Sequence, residues 1–139
     1  MKRVPVRPGA VMPPVRRMQR ARTRQHVIDA VGRYDQTARR AVERAMRVDF
    51  WFAAAYAVLF IATGLFLAVR GYPAAPVIGV LGLAAGLADA LENRAVLAAL
   101  VPSSQEPTAA LSPSPRRFSN AKWALGAAAI VALVWVLAA

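Results

Sequence analysis

Hydrophobic residues are spread unevenly along the chain, and the change comes near residue 49. From Phe50 to Val69 there are 20 residues without a charge, enough for an α-helix of about 30 Å, the thickness of a bilayer's hydrocarbon core. Arg70-Gly71-Tyr72-Pro73 then predicts a tight connection. A second apolar run, Ala74 to Ala88, keeps its helical pattern through Asp89, Glu92 and Asn93 to Val101, where Pro102 stops it. The third, Ala121 to Ala139, carries one charge, Lys122. Between the last two, residues 102–118 hold four prolines and four serines without periodicity, the pattern of a polar linker. The expected spans are 50–69, 74–93 with the helix continuing to 101, and 121–138.

Upstream the pattern differs. Residues 1–14 contain four prolines among basic and small residues and predict an extended arm. From Val15 to Val48, apolar residues recur at three- and four-residue steps: Val27, Val31, Tyr34, Ala38, Ala41, Ala45 and Val48. Arg33, Arg39, Arg40, Glu43, Arg44 and Arg47 fill the other face. This predicts a basic amphipathic helix with a thin, alanine-rich stripe, weakened at Gly32 by about 1 kcal/mol relative to alanine. Such a helix can lie on lipid, pack on a partner, or run on into the first span. The expected organisation is therefore an arm (1–14), a basic helix (15–48) and a membrane domain (49–139).

Composition and charge support that division. Of the 139 residues 58% are hydrophobic, yet the net charge is +11, a conflict within one soluble globule. Residues 1–49 hold 13 of the 18 Lys and Arg against four acids. Three nearly charge-free runs leave no polar face to meet water, so the expected fold is all-α: an integral membrane three-helix bundle with a basic N-terminal helix. A signal peptide is not expected, because no apolar stretch follows the first charges. A mitochondrial transit peptide is disfavoured by the absence of serine from residues 1–24. Bases flank the first span's start and the second loop (Arg94, Arg116, Arg117), against Arg70 alone in the first loop. The positive-inside tendency then places the N-terminus in the cytoplasm and the C-terminus outside a plasma or inner membrane. Trp51 and Trp123 fall at the inner helix ends, and Tyr72 and Trp135 near the outer ones.

Few kinds of chemistry are available. There is no cysteine and a single histidine, His26, which removes thiolate chemistry and His-paired metal sites. Ser103, Ser104, Ser112 and Ser114 lie in the proline-rich linker, which holds no catalytic geometry. With the expected topology, Asp49, Asp89, Glu92, Asn93 and Lys122 reach the same membrane face, with Tyr56 two turns deeper than Asp49. Asp89, Glu92 and Asn93 are spaced to project together. Lys122 in a first helical turn and the two acids toward a helix C-terminus each oppose the helix dipole, so Lys122 is expected to pair with Glu92 or Asp89. Ionisable groups near hydrocarbon are costly. The cluster either pins three helices in register or forms a site for a substrate, ion or lipid headgroup. Lys122 would compete with a metal ion for the carboxylates, so no metal or cofactor is assigned. Gly79, Gly82 and Gly86 form a small-residue ridge for close helix packing, within the chain or between chains.

Asp49-x-x-Phe52-x-x-x-Tyr56, then Asp89-x-x-Glu92-Asn93, then Lys122-Trp123 opening the last span, resembles a group of small, uncharacterised bacterial integral membrane proteins. In these an Asp-x-x-Glu-Asn helix precedes a Lys-aromatic helix start. The resemblance covers residues 49–138 and implies a helical membrane domain with a shared polar cluster. It implies no activity.

The function expected from all this is that of a non-enzymatic membrane accessory or scaffold protein. Its alternative is a small oligomeric transporter, or a lipid- or ion-binding protein, using Asp89, Glu92, Asn93 and Lys122. Arg16, Arg17, Arg20, Arg22, Arg24, Arg33, Arg39, Arg40, Arg44 and Arg47 are the candidates for engaging anionic lipid headgroups, where each base contributes about 1 kcal/mol. An acidic protein partner in a membrane complex comes second. Nucleic acid comes last, since no aromatic residue before Tyr34 offers base stacking.

Overall fold

A computed structural model describes residues 22, 26–27, 36–100 and 115–138. The expected arm, most of the basic helix and its Arg16, Arg17, Arg20, Arg24 and Arg33, and linker residues 102–114 lie outside the described residues. The described chain is all-α: α1 (Gln36–Val69), α2 (Pro76–Leu100) and α3 (Pro115–Ala138) form a three-helix bundle. Each helix is long and apolar enough to cross a membrane.

Three expected boundaries move. The break at residue 48 is not structural, because α1 runs unbroken for 34 residues and joins the basic turns directly to the first span. No glycine or proline interrupts the sequence between Gln36 and Thr63, so nothing there ends a helix. The third helix begins at Pro115 rather than residue 121, taking Arg116, Arg117 and Phe118 out of the expected linker. Proline fits the first helical position, where its missing N–H would go unused and its φ is already helical. The same holds for Pro76, which starts α2 two residues later than expected.

The α1–α2 connection is a Schellman turn. Tyr72 N–H donates to Leu67 O at 3.1 Å and Gly71 N–H to Ala68 O at 3.0 Å, closing the helix on a Gly71 with φ of 94°. A side chain at that φ would be strained, so Gly71 is required there. Arg70 at the helix end lies 4.8 Å over the Phe66 ring.

α2 lies between the other two helices and packs on both, whereas α1 and α3 scarcely meet. Its burial pattern follows: Ile78, Gly79, Gly82, Ala85, Gly86, Ala88, Asp89, Glu92, Asn93, Ala95 and Val96 are buried, covering far more than one face. On α1 the buried positions form a single stripe, Val42, Met46, Ala53, Ala57, Gly64 and Leu67. Small residues set the approach. A Cβ on Gly64 would lie 2.9 Å from Ala75 O, one on Gly79 3.2 Å from Ile61 Cα, and one on Gly86 2.9 Å from Ala57 Cβ; one on Gly82 would overlap Phe60. The small-residue ridge is thus spent within the chain, against α1. Leu67, Ala75, Ile78 and Val136 close the far end of the bundle.

The outside of the bundle is apolar. Trp51, Phe52, Leu59, Phe66, Val80, Trp123, Val131 and Trp135 are all exposed, as expected of side chains facing lipid. At about 1.5 Å per residue, the 34 residues of α1 reach about 50 Å, well beyond the hydrocarbon thickness. On the projecting turns Arg40, Arg44 and Arg47 are exposed on one side, while Val42 and Met46 stay buried on the other.

Candidate functional site

At the end of the bundle where α1 enters, α2 leaves and α3 begins, all six residues of the expected cluster come together. Helical spacing puts Asp89, Glu92 and Asn93 on the inner face of α2, and they are 4%, 0% and 0% exposed. Lys122, about two turns into α3, reaches across to both acids. Its Nζ donates to Asp89 Oδ1 at 2.6 Å and stands 2.7 Å from Glu92 Oε2, the second being a charge contact without hydrogen-bond alignment. The expected pairing names one acid or the other; the geometry uses both.

From α1, the Tyr56 hydroxyl lies 3.1 Å from Asp89 Oδ2, to which it donates, and also 3.1 Å from Ala85 O. Nearer the membrane face, Asn93 Nδ2 donates to Asp49 Oδ2 at 3.0 Å. α1 is therefore tied to α2 twice, and α2 to α3 through Lys122. Acids outnumber bases in the cluster: Asp89 and Glu92 share the one ammonium, and Asp49 has the amide of Asn93 instead. Glu92 Oε1 and Asn93 Oδ1 are buried without a hydrogen-bond partner among the described residues, although the Ser119 hydroxyl stands beside the Glu92 carboxylate. No three metal-ligating side chains converge among the described residues.

Two open spaces lie toward this end of the bundle, and the first borders the cluster. Where α1 and α3 part, a groove of about 700 Å³ runs down the bundle, floored by Ala85 and Asp89. Phe52, Tyr56 and Phe60 form one wall, and Trp123, Gly126, Ala127 and Ile130 the other, with Asp49 and Lys122 at the polar end. The second is a basic cleft lined by Arg22, Arg116, Arg117 and Asn120. Arg22, alone of the arginines expected upstream of residue 36, is thus described beside the start of α3. Arg39 lies on α1, and Arg40, Arg44 and Arg47 face outward from it. His26 is helical and outside the cluster, and Val27 next to it is fully buried.

The groove walls escape the sequence reading, apart from Phe52, Tyr56 and Trp123. The signal for one wall is there: Phe52, Tyr56 and Phe60 repeat every fourth residue, a stack on one helix face. Gly64, which makes one of the tightest approaches to α2, is also missed. It lies seven residues from Ala57 and in line with it.

Comparison with family models, with curated proteins and with solved structures finds no match for this chain.

Proposed function

We propose that this multi-pass membrane protein is a non-enzymatic accessory or scaffold component. Its basic N-terminal segment and second loop would sit on the cytoplasmic side of a plasma or inner membrane, with the C-terminus outside. The observation that carries this reading is the use made of the polar cluster. Lys122 is held between Asp89 and Glu92, Tyr56 is bonded to Asp89 and Asn93 to Asp49, so the polar groups bind one another across all three helices. A cluster arranged in this way holds helices in place and leaves no side chain poised as nucleophile and base.

The charge distribution supports the orientation. Arg22, Arg40, Arg44, Arg47, Arg94, Arg116 and Arg117 are exposed, and their helix ends share one end of the bundle, opposite Arg70. That ring of arginines suits the phosphates of an anionic leaflet, and the cleft of Arg22, Arg116, Arg117 and Asn120 offers one of them several donors.

The test is native mass determination after affinity capture in a mild detergent. A stable hetero-complex with bound anionic lipid is expected. A homo-oligomer with no other protein would instead favour the small transporter, and a bare monomer would remove the accessory role.

A further inference from the structure

The groove between α1 and α3 is chemically graded along its length. Its deeper part is apolar and aromatic, between Phe60 on α1 and Gly126 and Ile130 on α3. Its end toward the membrane face carries Asp49 and Asp89 beneath the rings of Phe52, Tyr56 and Trp123. Phe52 and Tyr56 pack edge to face at 5.7 Å, and Trp123 already has one cation, Lys122 Nζ, 6.0 Å from its ring centre.

Both signs of charge line that end, with acids in excess over the single Lys122. Lys122 is committed to Asp89 and Glu92, two carboxylates for one ammonium. Asp49 receives a hydrogen bond from the neutral Asn93 and forms no ion pair among the described residues. Glu92 Oε1, fully buried, has no hydrogen-bond partner there either. Negative charge beside low-dielectric walls attracts a cation more strongly than the same charge in water. The exposed arginines of the neighbouring cleft are screened by solvent and salt, and their own partners are phosphates. Size narrows the occupant further. About 700 Å³ falls within the range of small-ligand pockets, whereas a transmembrane helix about 10 Å across and 30 Å long is several times larger.

We propose that this groove binds an amphiphilic organic cation. Its positive head sits by Asp49 and the rings of Phe52 and Trp123, and its apolar body lies along Phe60, Gly126 and Ile130. Two sources share that chemistry, an amine-bearing membrane lipid and a free hydrophobic cation. The site goes beyond the accessory role and does not depend on it, since it needs only this chain.

Gly126 makes the proposal testable without disturbing the fold. It lines the groove, and a Cβ added there meets nothing within 4 Å, so Gly126→Leu starts its side chain in open space and narrows the groove where the apolar body would lie. The full chain, with Trp51→Phe and Trp135→Phe so that Trp123 is the reporter, is purified in a neutral maltoside micelle free of amine-bearing lipid. It is titrated with tetraphenylphosphonium and with tetraphenylborate, probes of the same shape and opposite charge. Saturable quenching by the phosphonium alone is expected. It should weaken on the order of tenfold in Asp49→Asn, and at least as much in Gly126→Leu at a melting midpoint that is not lowered. Adding phosphatidylethanolamine separates the sources: competition identifies the lipid as occupant, and unchanged affinity a free cation. Absence of saturable phosphonium binding, equal binding of the borate, or full affinity in Gly126→Leu overturns the proposal.

Discussion

Lys122 is the group on which the polar cluster depends, and removing it gives the sharpest prediction. Its side chain is 13% exposed, and those of the two acids it serves are 5% and 0% exposed. In Lys122→Ala both carboxylates lose their only counter-charge among the described residues while staying buried beside Asp49. Stranding one partner of a buried ion pair costs about 3–5 kcal/mol, and the low exposure of Glu92 argues for the upper half of that range. Adding Glu92→Gln removes the more deeply buried of the two stranded charges and should restore about 1–3 kcal/mol. Glu92→Gln alone keeps the 2.6 Å contact between Lys122 and Asp89 and should be much milder than Lys122→Ala. The assay is equilibrium unfolding of the four proteins of this double-mutant cycle in mixed micelles, followed by far-UV circular dichroism. Coupling between the two sites should exceed about 0.5 kcal/mol, the usual error of additivity for independent positions. Strictly additive losses would show that the charges are solvated, and the cluster would then be a hydrated rim that holds nothing.

Three further outcomes are expected. Gly82→Ala drives a methyl group into Phe60 near its backbone and should cost about 1–3 kcal/mol, whereas Gly126→Ala enters open space and should be neutral or stabilising by up to about 1 kcal/mol; thermal melts in one detergent compare them. A reporter active only outside the cytoplasm should work when fused after Ala139, and a cytoplasmic reporter when inserted at Gln105; the reverse pattern would falsify the proposed orientation. A peptide of residues 1–48, with 13 bases against three acids, should bind anionic vesicles at low salt, lose most of that binding at high salt, and ignore zwitterionic ones. Equal co-sedimentation with both vesicle types would mean insertion by apolar area instead.

The spans and the cluster were legible because both depend on properties local to the sequence. A charge-free run of 20 residues has few places to go, and Asp89, Glu92 and Asn93 share a face in any helix. Lys122 pairs with both acids, but not for the expected dipole reason, because α3 begins at Pro115 and α2 runs to Leu100, which puts all three charges about two turns or more from a helix end. What stayed hidden depends on how helices lie beside one another. That α2 is the middle helix, so that α1 and α3 diverge and leave a groove, is a matter of crossing geometry that no single helix records. The hydrogen bond from Asn93 to Asp49 requires the antiparallel register of α1 and α2, and the close approach of Gly64 to Ala75 and Gly79 helps set that register. The prolines misled for a different reason. The pattern puts Pro76 inside the expected second span and Pro115 in the linker, although proline stops a helix in its interior and suits its first position.

The length of α1 has a mechanical consequence. From Gln36 to Thr63 it contains no glycine or proline, so the stretch from the arginine-bearing turns to the middle of the span has no built-in joint. The portion carrying Arg40, Arg44 and Arg47 is thus the short arm of a stiff rod, and Asp49 sits where that arm meets the rest. A pull on those arginines would be carried along unbroken helix to Asp49, which Asn93 ties to α2, so the surface arm and the polar cluster share one continuous piece of backbone.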